Sequence, residues 1–392
     1  MIEVETALEI IHQTAVKLRS IFTAVSSHSC GAVLADDIIA LISLPHFAQS
    51  SMDGYAIKKH KSSTYKLIGE VAAGSSKDFD LKPGEAVRIF TGAKVPFSAD
   101  SVVIQEKVQK NKDQIILNYE PQYEQNIRPI GSQVKAGDLV LPKGHVLNPS
   151  SLGLLQSLGI RSIQVYKKPS VSIVLTGNEL LKASDSLQDG KVYESNSIVL
   201  ESVLKQQGIE DIRVFYSKDS LLETQSTIEK ALESDMVLIS GGISVGDYDF
   251  VQQSLINLGV QEVFYKVKQK PGKPLFYGAK DEKIVFGLPG NPASTLNCFY
   301  VYVIPILHKF LGKKIEDLPI IETTLTTKIE NKFGRALFLK AMVKNLKSTI
   351  IDEHNSATLI SFSKANALVY VPASSSHFDV GTQVKTWLIP NS

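Results

Sequence analysis

Cysteine is scarce in this sequence: Cys30 and Cys298 are the only two among 392 residues. Thiols so far apart exclude a disulfide framework and a cysteine-rich zinc site, and they predict a reducing compartment. Net charge is slight as well, +2 at neutral pH, so nucleic-acid binding is not expected. Anion binding must then come from local placement of Lys and Arg. Long apolar runs are nearly missing. The one stretch of that kind, Ala293 to Leu311, contains Asn297, Pro305 and His308, which predicts a buried helix and no membrane span. The start, Met-Ile-Glu-Val-Glu, has neither basic residues nor an apolar signal core, so a cytoplasmic protein is expected. No internal repeat or low-complexity segment is evident.

What is present is the balance of a globular protein, 43% hydrophobic and 21% charged residues, in a length that calls for about two to four domains. Val4, Ala7, Leu8, Ile11, Ala15 and Leu18 recur at helical spacing and predict a first helix. From Ser43 short strand-like runs take over, such as Tyr65–Val71, Ala86–Phe90, Ser101–Ile104 and Ile115–Leu117, which predict a small all-β module. Asn148-Pro149-Ser150-Ser151 starts another short helix, ending at Gly159. Past Lys167-Lys168-Pro169, apolar β-branched strands alternate with helices, the signature of a parallel sheet covered on both faces. From about Pro319 the chain returns to β runs, among them Ala336–Leu339 and Leu368–Val371. The expected fold class is multidomain α/β plus β: a helical, extended linker region at 1–42 and 131–168, a β module at 43–130, a parallel-sheet α/β domain at 169–318 and a β-barrel-like domain at 319–392.

Doubly wound sheets bind ligands outside the carboxyl ends of their strands. The strand ends here run into Thr176-Gly177-Asn178-Glu179-Leu180, Ser240-Gly241-Gly242-Ile243-Ser244-Val245-Gly246-Asp247-Tyr248-Asp249, Lys266-Val267-Lys268-Gln269-Lys270-Pro271-Gly272-Lys273-Pro274 and Leu288-Pro289-Gly290-Asn291-Pro292. Small residues let backbone N–H groups face an anion. Lys266, Lys270 and Lys273 flank a Pro-Gly and can focus positive potential on an oxyanion, although a solvated lysine cluster is the plain alternative. Glu179, Asp247 and Asp249 would repel phosphate unless a divalent cation lay between them, as in a Mg2+ site. The plain alternative for Asp247 and Asp249 is helix capping. In the β module, Ser51-Met52-Asp53-Gly54 and Thr91-Gly92 read on their own as turns.

Taken in order, Ser-Met-Asp-Gly-Tyr-Ala (51–56), Thr-Gly-Ala-x-Val-Pro (91–96), Asn-Ile-Arg (126–128), Thr-Gly-Asn-Glu-Leu (176–180), Ser-Gly-Gly-Ile-Ser-Val-Gly-Asp-Tyr-Asp (240–249), Lys-Pro-Gly-Lys-Pro (270–274) and Gly-Leu-Pro-Gly-Asn-Pro (287–292) resemble the molybdopterin molybdenumtransferase family, MoeA and the gephyrin E domain, over essentially the whole chain. The resemblance implies an elongated homodimer of four-domain subunits, with the linker region dimerising and each α/β cleft completed by the partner. It implies hydrolysis of adenylylated molybdopterin with release of AMP and insertion of molybdate to give molybdenum cofactor. Molybdopterin adenylyltransferase and molybdoenzymes are the further partners it suggests. By motif, Asp53, Thr91, Glu179, Asp249, Lys266 and Lys270 are the implied catalytic residues. Glu179, Asp249 and Asp247 are the implied Mg2+ ligands. Arg128, Thr176, Gly177, Ser240, Gly241, Gly242, Ser244, Gly246, Lys273, Pro289, Asn291 and Arg335 are the implied substrate-binding set.

Two positions depart from the family pattern: Gln133 and Lys218 stand where acids are common. They favour a second reading, a scaffold paralogue that binds cofactor or a partner protein without turnover. A third is a molybdopterin adenylyltransferase, against which the additional domains and the Ser-Met-Asp-Gly-Tyr-Ala segment speak.

Overall fold

The computed structural model describes residues 1–243, 250–314, 317–352 and 359–390. The chain divides into two compact units, one of Met1–Phe22, Gly31–Ala35 and Gln164–Ser392, the other of Thr23–Cys30 and Asp36–Ile163.

In the second unit a six-stranded sheet runs in the order Ser101–Ile104, Gly54–Ile57, Glu85–Ile89, Thr64–Val71, Gln114–Leu117 and Val108–Asn111. Its pairings are antiparallel except for Thr64–Val71 beside Glu85–Ile89. Alternate residues of each strand point to opposite faces, so the sheet feeds two clusters. Ala56, Val87 and Val102 join one, and Tyr55, Ile57, Ala86 and Val103 the other. The helix Pro149–Ser157 starts as the sequence predicts. The Asn148 side chain accepts from the Ser151 N–H at 2.9 Å, and the Ser151 hydroxyl accepts from the Asn148 N–H at 2.8 Å.

In the first unit the α/β sheet has the order Ile212–Ser217, Val171–Thr176, Met236–Ser240, Lys283–Leu288, Phe276–Lys280 and Gln261–Tyr265. The first four are parallel, as the unbroken β-branched runs predict. Phe276–Lys280 is antiparallel to both of its neighbours, so the sheet is mixed at that edge rather than purely parallel. Its short run, broken by Gly278, carries too weak a pattern to be read as a strand. The first helix, Val4–Gln13, is shorter than its spacing predicts. Thr14 turns extended and its hydroxyl caps the Ile10 carbonyl at 2.9 Å, leaving Ala15 and Leu18 outside the helix. Val4, Ala7 and Ile11 pack into the same core as Val171, Leu238 and Phe286.

Ala293 to Leu311 is the buried helix expected. It is α-helical over Pro292–Cys298, widens to a π-turn over Phe299–Val303 and resumes over Ile304–Phe310. Pro305 has no N–H to give to the preceding turn, and the widened turn lies just before it. Among the described residues no helix is long and apolar enough to cross a membrane.

The C-terminal strands close a ring. Ala336–Lys344 pairs with Lys347–Asp352 and Ala367–Val371, and Gln383–Leu388 pairs with Ala367–Val371 and Ile320–Leu325. Ile320–Leu325 returns to Lys347–Asp352, completing the barrel. Alternation again divides one strand between two cores. Leu337, Leu339 and Ala341 fill the barrel, while Ala336 and Phe338 join the large core of the α/β domain. Gln269–Lys270 adds to the barrel sheet, parallel to Ala336–Leu337.

Candidate active site

Three strand-end loops and the lysine loop line one cavity of about 790 Å3 in the first unit. That is a size suited to a cofactor-sized ligand. The Ser240 loop has to be glycine-rich for steric reasons. Gly241 and Gly242 take φ of 95° and 63°, and a Cβ on Gly241 would meet the Thr176 carbonyl oxygen at 2.7 Å. The loop thus crosses directly over the end of the neighbouring strand. Ser244, Gly246, Asp247 and Asp249 lie outside the described residues.

Asn196, at the start of its helix, locks two of these loops together. Its Nδ2 donates to the Ser240 Oγ at 2.8 Å and to the Gly290 carbonyl at 2.7 Å. A carbonyl can only accept, so the amide group must present nitrogen there, and Oδ1 is left buried without a partner. The Thr176 Oγ1 is likewise buried and unpartnered. Asn178 and Asp219 join the loops after two adjacent strands, the Asn178 N–H donating to the Asp219 carboxylate at 2.9 Å.

The lysine loop is held from beneath. Gln269 is fully buried, its Nε2 donating to the Gly272 carbonyl at 3.0 Å and its Oε1 accepting from the Tyr302 hydroxyl at 2.5 Å. Burial pushes the Tyr302 phenol and the Cys298 thiol well above their ordinary values, so both stay neutral. The barrel pairing of Gln269–Lys270 holds the same loop from the side. The Lys270 ammonium lies 3.8 Å from the centroid of the Phe333 ring, and Arg335, two residues on, also lines the cavity.

The cavity wall carries Lys270, Lys273 and Arg335 against Glu179, Glu194 and Asp219. Glu194 accepts from the Ser197 N–H at 2.8 Å and from its hydroxyl, and Asp219 is bound to Asn178. Glu179 is the acid of the three whose carboxylate has no hydrogen bond or ion pair among the described residues. Of the expected site residues, Thr176, Gly177, Glu179, Ser240, Gly241, Gly242, Lys270, Lys273, Pro289, Asn291 and Arg335 come together here. Lys266 does not line this cavity; it takes φ 66° and its ammonium lies 4.5 Å from the Tyr265 ring centroid. Ser240 spends its hydroxyl on Asn196 and on the Pro289 carbonyl. Among the described residues no group of three or more His, Cys, Asp or Glu side chains could hold a metal ion.

Asp53, Thr91 and Arg128 gather in the other unit. The Asp53 Oδ1 accepts from the Thr91 N–H and from its hydroxyl, each at 2.7 Å. Those two bonds hold the Asp53 carboxyl below its usual range. Ser51 N–H donates to the Asn126 carbonyl at 2.9 Å, and Arg128 pairs in register with Gln49, so the three motif segments adjoin.

Sequence reasoning missed Asn196, Gln269, Glu194 and Asp219 on the cavity wall. Asn196 read as an ordinary helix start, and nothing local marks Gln269, between two lysines, as inward-facing. A polar residue placed at a strand end beside a glycine turn is the one signal available.

Fold and cavity define the class: a multidomain α/β protein with a strand-end cleft and an appended closed barrel. Residues 2–159 match the MoeA N-terminal region (domain I and II), 172–309 a probable molybdopterin binding domain and 322–389 the MoeA C-terminal region (domain IV). A Staphylococcus epidermidis protein named molybdopterin molybdenumtransferase is 32% identical over 396 residues, covering 98% of this chain and 94% of that one. A Staphylococcus aureus protein of the same name is 32% identical over 376 residues, covering 92% and 90%. The crystal structure of a molybdopterin biosynthesis MoeA protein from Pyrococcus horikosii matches with a TM-score of 0.87 at 28% identity, covering 100% of both chains. The chain belongs to the MoeA family.

Proposed function

We propose that this chain is a molybdopterin molybdenumtransferase, hydrolysing adenylylated molybdopterin and inserting molybdate to give molybdenum cofactor and AMP. The observation that carries this reading is the cavity of about 790 Å3 where the strand-end loops meet Lys270, Lys273 and Arg335. Those cations offset the charge of a phosphate-bearing pterin and of molybdate. Lys270 is held in place by the barrel pairing and the Phe333 ring, so little reorganisation is needed when the anion enters.

Water attacks the phosphoric anhydride, the P–O bond to one phosphate breaks, and AMP leaves with the bridging oxygen. Glu179 suits a hard divalent cation, since its carboxylate is uncommitted on the cavity wall; Asp247 and Asp249, the other acids of the proposed Mg2+ site, lie outside the described residues. Mg2+ bound there supplies charge neutralisation on the phosphate oxygens. Asp53, Thr91 and Arg128 are proposed to serve the same reaction from the β module. Their support is the family motif and the Asp53–Thr91 pairing. A cytoplasmic homodimer is part of the proposal and rests on the family resemblance; a monomer in sedimentation at working concentration would remove it.

The test measures AMP released from adenylylated molybdopterin with molybdate and Mg2+. Glu179→Ala and Lys270→Ala should each lower the rate by about a hundredfold or more. Normal rates in both variants remove the site assignment, and tight binding without AMP release assigns the scaffold role instead.

A further inference from the structure

The backbone of the lysine loop has a partner far away in the sequence. Ile2 lies beside Val267 in a parallel β-bridge. Its N–H donates to the Lys266 carbonyl at 3.0 Å, and its carbonyl accepts from the Lys268 N–H at 2.8 Å. The Lys268 ammonium lies 3.0 Å from the Glu3 carboxylate, adding a side-chain tie to the same pair. This strap leads directly into the first helix, whose Val4, Ala7 and Ile11 are buried in the core of the α/β domain. Glu5 of that helix accepts from the Tyr370 hydroxyl of the barrel, so the far end of the strap is anchored.

Two features of the loop make the contact consequential. Lys266 takes φ 66°, a left-handed conformation that residues with a Cβ adopt only where their surroundings impose it. Its N–H is held by the Leu275 carbonyl at 2.9 Å, and its carbonyl by Ile2. Val267, between the two groups that Ile2 satisfies, is fully buried, in a setting where backbone polar groups need protein partners. The Val267 N–H in turn donates to the Lys273 carbonyl at 3.0 Å, and the Lys268 carbonyl accepts from the Ala336 N–H at 3.0 Å. Backbone bonds therefore run from Ile2 to Lys273 on one side and to the barrel strand beside Lys270 on the other. We propose that Ile2 and Glu3 are positioning residues for anion binding: without touching the ligand, they set the loop backbone and so the place of Lys270 and Lys273 on the cavity wall. This rests on the reading of that cavity as an anion site.

Calorimetric titration of the full chain with inorganic pyrophosphate tests the strap. Met1 is 64% exposed, so the chain can be extended ahead of it to keep residue 2 internal in every variant. Ile2→Pro deletes the N–H that holds Lys266 and should weaken pyrophosphate by about fivefold or more. Ile2→Val keeps the donor and should bind as the unmodified chain does. Glu3 is exposed and its side chain caps no helix N–H, so Glu3→Gln keeps the fold. Removing an acid near the lysines would by field alone tighten an anion, whereas the strap predicts weakening by about twofold. Amide exchange at Lys268 should quicken in Ile2→Pro and stay slow in Ile2→Val. A strap that only stabilises the fold would lower the denaturation midpoint of Ile2→Pro and leave its pyrophosphate affinity unchanged. That result overturns the proposal, as does tighter binding in Glu3→Gln or no binding by the unmodified chain. If the affinity pattern holds and no AMP is released from adenylylated molybdopterin, the strap stands and the transferase reading falls. If the unmodified chain releases AMP while Ile2→Pro binds pyrophosphate unchanged, the strap falls alone.

Discussion

Gly272→Ala isolates what holds the lysine loop. Gly272 takes φ 88°, and a Cβ there would come 2.5 Å from the Cys298 Sγ and 3.1 Å from the Gln269 Nε2. Ordinary contacts of this kind lie at roughly 3.5–4.0 Å, so the overlap is about 1 Å or more. Cys298 is fully buried and has nowhere to withdraw. The left-handed backbone costs an alanine about 1 kcal/mol, and overpacking a closed site adds about 1–3 kcal/mol. The expected loss is therefore about 2–4 kcal/mol, read from urea denaturation with unchanged m. Gly259→Ala is the internal control. It has a similar φ, 76°, but no heavy atom within 4 Å of the added Cβ, so it should lose only the backbone part. Combining Gly272→Ala with Cys298→Ala should recover much of the steric cost. Equal losses in Gly272→Ala and Gly259→Ala would refute the claim that the loop is packed against Cys298.

Asn196→Leu removes the donor to both Ser240 and the Gly290 carbonyl, stranding a buried acceptor; the loss in chemical denaturation should be about 1–3 kcal/mol. A loss under about 0.5 kcal/mol would mean the two loops do not depend on it. Asp53 titrates below its usual range because of the Thr91 backbone and hydroxyl donors. Its stabilising contribution is therefore complete above the ordinary carboxylate value of about 3.9 and fades as pH falls through the lower folded value. Thr91→Val deletes one donor, so the Asp53 carboxyl resonance should titrate at higher pH in carbon NMR; an unmoved midpoint discards the hydroxyl's part.

The periodicities made much of the architecture legible. Unbroken runs such as Val171–Thr176 and Met236–Ser240 announced strands buried on both faces, and the glycines and lysines after them marked the edge where the cavity opens. Phe276–Lys280 stayed hidden because a five-residue run with an internal glycine has no distinctive period. The motifs drew attention to Asp53 and Thr91, yet their pairing across 38 residues of chain is dictated by no local pattern in either segment.

By itself the sequence determined the alternation of strands and helices, the small residues that let loops cross closely, and which charges stand at the strand ends. Those depend on local preferences, which a few neighbouring residues suffice to express. Only the tertiary structure decided that Gln269 turns inward to Tyr302, that Asn196 ties Ser240 to Gly290, and that Lys270 belongs to the barrel sheet as well as to the cavity. Each of these links partners far apart in the chain, and a long-range contact leaves no mark on the local pattern of either partner.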